Sequence, residues 1–325
     1  MMSAIRALAA SGLFLLLGVA PPARAVSLAV THWAEGMYGV PFAVAAEKGF
    51  FKEAGLDVTG FITSQGGGTT VRNAMAAEIP YGEVALSAAI AAAKQGLDIT
   101  IVHGGVLSLA DLVWVANKGS AISSFKDLKG KTLGYSSPKS VTDMVSTIAL
   151  SKAGLLNDVQ RKAVGSLSAG LTALHQGSVD VVYLTEPMVT KERATFKIAF
   201  RAIDSIPRIT QTVGIVRTDY LKKHPDVIRG IIAARRKGVD YLRQHPDESA
   251  RILAREYKLD PAVAKGAIAT ILDAKGEYWS PGHLDYEGMN VMLEGLKLVK
   301  AVDEGPFDWK KMVDESYLPA DQRSK

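Results

Sequence analysis

The 325-residue chain contains no cysteine. Disulfides, thiolate metal ligands, a cysteine nucleophile and a lipid anchor on cysteine are therefore all excluded. Neither charge sign dominates: 38 Lys and Arg against 33 Asp and Glu leave a net +5, too mild a surplus to point to nucleic acid. Beyond residue 25 no window approaches eighteen consecutive apolar residues, so no membrane-spanning helix is expected there. The six histidines show no His-Glu-x-x-His or similar close pairing, which argues against a metal site. His103-Gly104-Gly105 has no Gly-x-Ser-x-Gly elbow to partner it as an esterase would need. These absences point to a protein that is not an enzyme and carries no cofactor or metal.

What is present begins with an address. Arg6 forms a short basic region, residues 7–20 an apolar run, and Ala23-Arg24-Ala25 an A-x-A cleavage site behind Pro21 and Pro22. This order predicts a secretory signal peptide over residues 1–25. Its removal takes away Arg6 and Arg24, lowering the net charge from +5 to +3. Export without cysteine points to the periplasm, and the roughly 300 residues that remain suffice for two domains.

Short β-branched runs alternate with helical patterns, the mark of an α/β protein with mostly parallel sheets flanked by helices. Strands are expected at 26–31, 56–63, 84–87, 99–103 and 112–117, then at 132–136, 179–184, 197–203 and 212–218. Gly49, Gly55 and Gly96 each follow a helical stretch, where a left-handed cap is needed. Ser124 to Asp127 has capping-box spacing. His224-Pro225-Asp226 and His245-Pro246-Asp247 read as two helix starts, and Arg235-Arg236-Lys237 as a solvated helix face. The strands at 112–117 and 212–218 are the natural crossovers. They divide the chain into lobe 1, residues 26–112 with 214–325, and lobe 2, residues 113–213, with a ligand cleft between.

The stretch Gly39 to Val58, GVPFAVAAEKGFFKEAGLDV, resembles the opening of the periplasmic binding proteins for nitrate, taurine, alkanesulfonates and thiamin-pyrimidine precursors. Three further stretches fall in that family's order. DLKGKTLG (127–134) is similar to the start of its second lobe. ALHQGSVD (173–180) followed by Glu186-Pro187 resembles its late strand and turn. His224-Pro225 and His245-Pro246 stand where the family starts helices. The resemblance implies a type II-like, two-lobed binding-protein fold that closes like a hinge over a small molecule. It also implies a monomer serving the permease of an ABC importer. A binding protein feeding a sensor or receptor, and an enzyme built on the same fold, remain as alternatives.

In open α/β sheets, ligands sit beyond the carboxyl ends of strands, against helix N-termini. That rule selects four groups. After strand one come His32, Trp33 and Tyr38, whose rings offer flat faces with polar edges. Next is the glycine-rich loop Gln65, Gly67, Gly68 and Thr69, where backbone N–H groups are free to approach a ligand and Thr69 and Thr70 can cap a helix. Third is Ser136, Ser137, Ser140 and Thr142. Sulfonate- and taurine-binding relatives carry a Gly-Ser-Ser/Thr run there; Ser140 matches it, but Lys139 replaces the Gly and Val141 one hydroxyl residue. Fourth are Ser87, Tyr183, Thr185 and Glu186, the last a possible acceptor for a ligand N–H. The expected solute has one acidic or strongly polar end and a flat or apolar body: a sulfonate, a carboxylate or a pyrimidine-like ring. Nitrate fits less well, since it leaves Trp33 and Tyr38 without a partner.

Overall fold

The computed structural model describes residues 25–64 and 66–324. The expected export signal up to Arg24, and the candidate Gln65, lie outside the described residues. Ten strands run in chain order: β1 (Ala25–Val30), β2 (Asp57–Ile62), β3 (Tyr81–Ala85), β4 (Ile99–Gly104), β5 (Leu112–Ala116), β6 (Thr132–Tyr135), β7 (Gln160–Ala163), β8 (Val181–Thr185), β9 (Lys197–Arg201) and β10 (Thr212–Arg217). They form two five-stranded sheets, ordered β2-β1-β3-β10-β4 and β7-β6-β8-β5-β9. In the first, β10 runs antiparallel to both neighbours; in the second, β5 does. The remaining strands of each sheet share one direction, so both sheets are mostly parallel. The reversed strand is fourth in both orders. Each sheet thus takes that strand from the chain segment that crosses between the two.

The helices of eight residues or more are α1 (Val40–Glu47), α2 (Gly68–Ala76), α3 (Leu86–Lys94), α4 (Val141–Lys152), α5 (Leu167–His175), α6 (Pro225–Gln244), α7 (Pro246–Glu256), α8 (Pro261–Leu272) and α9 (Tyr286–Leu298). Pro225 and Pro246 open α6 and α7 as expected. Gly49, Gly55 and Gly96 all take positive φ. The Ser124–Asp127 capping box is formed in full. None of the described helices is long and apolar enough to cross a membrane.

Several local expectations need correction. The strand expected from Val84 begins at Tyr81 and ends at Ala85, so Ser87 lies on α3. Glu83 hid the true start, because a carboxylate reads as solvent-facing. Residues 173–180 contain the end of α5 and a turn at Gly177, with the strand starting only at Val181. The edge strand β7 has a mostly exposed face and no alternation to reveal it.

The Arg235–Lys237 run is not uniformly solvated. Arg236 and Lys237 face outward and pair with Asp321 and Glu53. Arg235 turns inward and is only 1% exposed. Its guanidinium meets Glu83 Oε2 at 2.7 Å and donates to the carbonyls of Ser280 and Gly105. An inward arginine on α6 is tolerated because every direction of its fork finds an acceptor.

The C-terminal segment touches both halves. Met312 and Asp314 pair with Ile101 on the free edge of β4. Helix α9 packs against α3 and α4 together, and Gly295 brings Met144 and Ile148 close to its backbone.

Candidate ligand-binding site

A cavity lies where the carboxyl ends of the two sheets face each other. Its wall includes Thr31, His32 and Tyr38 after β1, Ala85 at the end of β3, and Gly66 and Gly67 before α2. From the second sheet come Ser136 after β6, Ser140, Val141 and Thr142 at the start of α4, Leu167 at the start of α5, and Tyr183 and Thr185 on β8. Among the described residues, no lysine, arginine, aspartate or glutamate lines it. The free volume is about 10 Å³, room for about one water molecule. The two halves are shut on each other.

Two contacts hold the halves together beside this cavity. Ser87 Oγ, on α3, donates to the carbonyl of Lys139 at 2.7 Å. Gly67, at φ 60°, comes so near the facing turn that a Cβ there would sit 2.9 Å from Ser137 Oγ and 3.0 Å from the Pro138 carbonyl. Beyond that seam, a groove of about 640 Å³ runs along Gly68, Thr69, Arg72, Ser137 and Lys139.

The local hydrogen bonds follow from the sequence. Ser140 caps α4, accepting from the Asp143 N–H at 3.2 Å. Thr142 Oγ1 accepts from the Ser136 N–H and bonds the Ser136 hydroxyl, both at 2.9 Å. Thr70 donates to Thr31 at 3.2 Å and bonds Ser64. Neither Thr69 nor Thr70 caps α2, contrary to expectation; the cap residue is Gly67, without a side-chain bond. Thr69 is exposed and accepts from Arg72.

The two phenols are anchored from behind. Tyr38 donates to Gln211 Oε1 at 2.8 Å, and Tyr183 to the Gly165 carbonyl at 2.7 Å. Burial raises the pKa of both, helped for Tyr38 by the nearby Asp111 carboxylate. Gln211 in turn donates to Asp111 Oδ1 at 2.9 Å and to the Ser108 carbonyl. Burial pushes the Asp111 carboxyl up to about 6, the bond from Gln211 opposing it.

Of the expected site residues, His32, Tyr38, Gly67, Ser136, Ser140, Thr142 and Tyr183 line the cavity. Gly68, Thr69 and Ser137 border the outer groove instead, and Ser87 spends its hydroxyl on the seam. Trp33 is elsewhere: its ring stacks on Phe61 at 3.9 Å and meets Tyr257 edge-on at 5.5 Å. It serves the packing of the first sheet's flank, so the aromatic argument against nitrate loses one of its two rings. Glu186 lines a separate cavity of about 270 Å³ with Asp111, Arg193, Arg201 and Thr270. Its carboxylate accepts from the Thr190 N–H, and burial raises its pKa. Thr31, Val141 and Thr185, which stand in the selected loops, also line the first cavity, whereas sequence reading missed Ala85 and Leu167. Thr185 joins Tyr183 two residues along on one strand face. His103 is a core residue: its Nδ1 bonds the Gly104 carbonyl and its Nε2 the Tyr81 hydroxyl at 2.7 Å.

Two mostly parallel sheets, exchanging one strand each around a shared cavity, define a periplasmic binding-protein fold. The chain belongs to the NMT1/THI5-like family, whose model matches residues 37–249. Among solved structures, the periplasmic nitrate-binding protein NrtA from Synechocystis PCC 6803 superposes with TM-score 0.73 at 13% identity, covering 93% of this chain and 91% of its own. The aliphatic sulphonate binding protein SsuA from Escherichia coli gives 0.67 at 19% identity, covering 85% and 86%. The desulfurization enzyme DSZB gives 0.62 at 15% identity, covering 90% and 97%. Among curated proteins none matches the chain.

Proposed function

We propose that the chain is the extracytoplasmic solute-binding subunit of an ABC importer, exported by residues 1–25 and active in the periplasm as a monomer. Residues 26–112 with 214–325 form one lobe and 113–213 the other. A small organic solute with an acidic or strongly polar end is captured between them. The observation that carries this reading is the convergence of both sheets' carboxyl ends, with the α4 N-terminus, on one uncharged, hydroxyl-lined cavity. The first N–H groups of a helix lack intrahelical partners and favour an acceptor or anion.

A cavity of about 10 Å³ cannot hold such a solute, so entry requires the lobes to part about the two crossovers and close again. Binding rather than catalysis is supported by the site's chemistry. Among the described residues no hydroxyl is hydrogen-bonded to the His32 ring, whose Nδ1 faces Glu35 Oε2 at 3.6 Å instead. A nucleophile–base pair is what an acyl or sulfur transfer would need.

A thermal-shift panel of sulfonates, carboxylates, pyrimidines, nitrate and bicarbonate tests the reading. A ligand at a hundredfold excess over Kd stabilises by about 2.7 kcal/mol. Stabilisation by one organic class, with compaction in small-angle scattering, is the expected result. Stabilisation by nitrate or bicarbonate alone overturns the organic-solute reading. Co-purification with a permease supports transport, whereas capture by a sensor ectodomain supports signalling.

A further inference from the structure

The polarity of the cavity's hydrogen-bonding groups narrows the solute further. Gln211 is fully buried, and its amide nitrogen contacts the Ser108 carbonyl and Asp111 Oδ1. A backbone carbonyl only accepts, so the NH2 must face this side and Oε1 must face Tyr38. Tyr38 therefore has to donate its proton to Gln211. Tyr183 is bound the same way, because its partner, the Gly165 carbonyl, is again only an acceptor. Both phenols stay protonated, since burial raises their pKa.

Each phenol oxygen thus keeps lone pairs but has no proton to offer the cavity. Both line the same cavity of about 10 Å³, so they form one acceptor patch. Each anchoring bond lies beside one sheet, and Gln211, at the crossover into β10, is held to the first sheet's side by Ser108 and Asp111. Tyr38 and Gln211 border the first sheet, and Tyr183 and Gly165 border the second. Each phenol therefore stays anchored when the halves part, and the two oxygens meet in one patch on closure. The α4 N-terminus and the hydroxyls of Ser140 and Thr142 line the same cavity and form its donor side.

Resting on the cleft reading above, we propose that this site selects solutes bearing an N–H donor group in addition to their acidic or polar end, and discriminates against donor-free anions. A donor-free anion would bring its own lone pairs against two phenol oxygens that cannot rotate a proton toward it. Among the described residues no Lys, Arg, Asp or Glu stands in the wall, which fits a solute whose donor end offsets its acidic end.

Calorimetric titration of the full chain with matched pairs tests this: 2-aminoethanesulfonate against ethanesulfonate, β-alanine against propionate, and 4-aminopyrimidine against pyrimidine. The aminated member of a binding pair is expected to bind about tenfold tighter, the worth of one hydrogen bond. Tyr183→Phe, which keeps the ring, should cut that preference to about threefold or less. Tyr38→Phe should do the same, each variant being checked for an intact fold by its unliganded melting transition. Equal or tighter binding of the donor-free member overturns the inference alone. So does a preference that survives both substitutions. Failure of every pair to bind at millimolar concentration overturns the cleft reading and the inference with it.

Discussion

Arg235 Nε lies 2.7 Å from Glu83 Oε2, with the arginine side chain 1% exposed and the glutamate fully buried. The pair ties α6 to the middle strand of the first sheet, and Thr212 Oγ1 on β10 donates to the other carboxylate oxygen at 2.8 Å. Removing one partner leaves an uncompensated buried charge. Arg235→Ala is therefore expected to destabilise by about 3–5 kcal/mol in urea unfolding. Arg236→Ala, one residue along, breaks only exposed pairs with Asp321 and Asp240 and should cost less than about 1 kcal/mol. Equal effects would show that the burial difference is not what matters.

Asp111 and His103 give opposite pH dependences. The Asp111 carboxyl moves from 3.8 to about 6 through burial, so the folded state holds this proton more tightly than the unfolded state. Its ionisation then costs stability as pH rises from about 4 to 6. Asp111→Asn can still accept from Gln211, and should be more stable than the parent by up to about 3 kcal/mol at pH 7–8. The gain should vanish below pH 4. A constant difference across that range would disprove the linkage.

His103 moves the other way, from 6.5 to about 3, through burial and then the Arg235 charge. The neutral ring's contribution is complete above pH 6.5 and is lost as pH falls toward 3. Over that range the parent should lose about 5 kcal/mol from this group. His103→Gln, whatever its stability at pH 7, should show a flatter slope between pH 6.5 and 3 in denaturant titrations.

Gly67 is expected to matter for closure and not for folding. Its φ of 60° already strains any other residue, and the missing Cβ makes room for Ser137 and Pro138 of the facing turn. Gly67→Val should keep a cooperative melt, weaken ligand binding at least tenfold, and abolish compaction in small-angle scattering. Unchanged compaction would place the closing contact elsewhere.

Trp33→Ala should affect stability before binding. With the ring stacked on Phe61 and against Tyr257, its loss should cost about 3 kcal/mol. Affinity measured well below the melting temperature should change less than threefold. A tenfold loss in a protein of parental stability would return Trp33 to the site.

The sequence by itself determined the alternation of strands and helices, the glycine and proline boundaries, the capping box at Ser124 and the loops that reach the cleft. All of these depend on residues within a turn or two of one another, so spacing alone reports them. It did not determine which polar groups are already taken. Whether Tyr38 offers a proton depends on Gln211, 173 residues away, and whether Arg235 faces water depends on Glu83, 152 residues away. Trp33 and Glu186 stand beside the right strand ends, yet packing turns one toward Phe61 and the other toward a separate cavity. Only the tertiary structure decided these cases, because a buried polar or aromatic group takes its role from the partner that the fold brings to it.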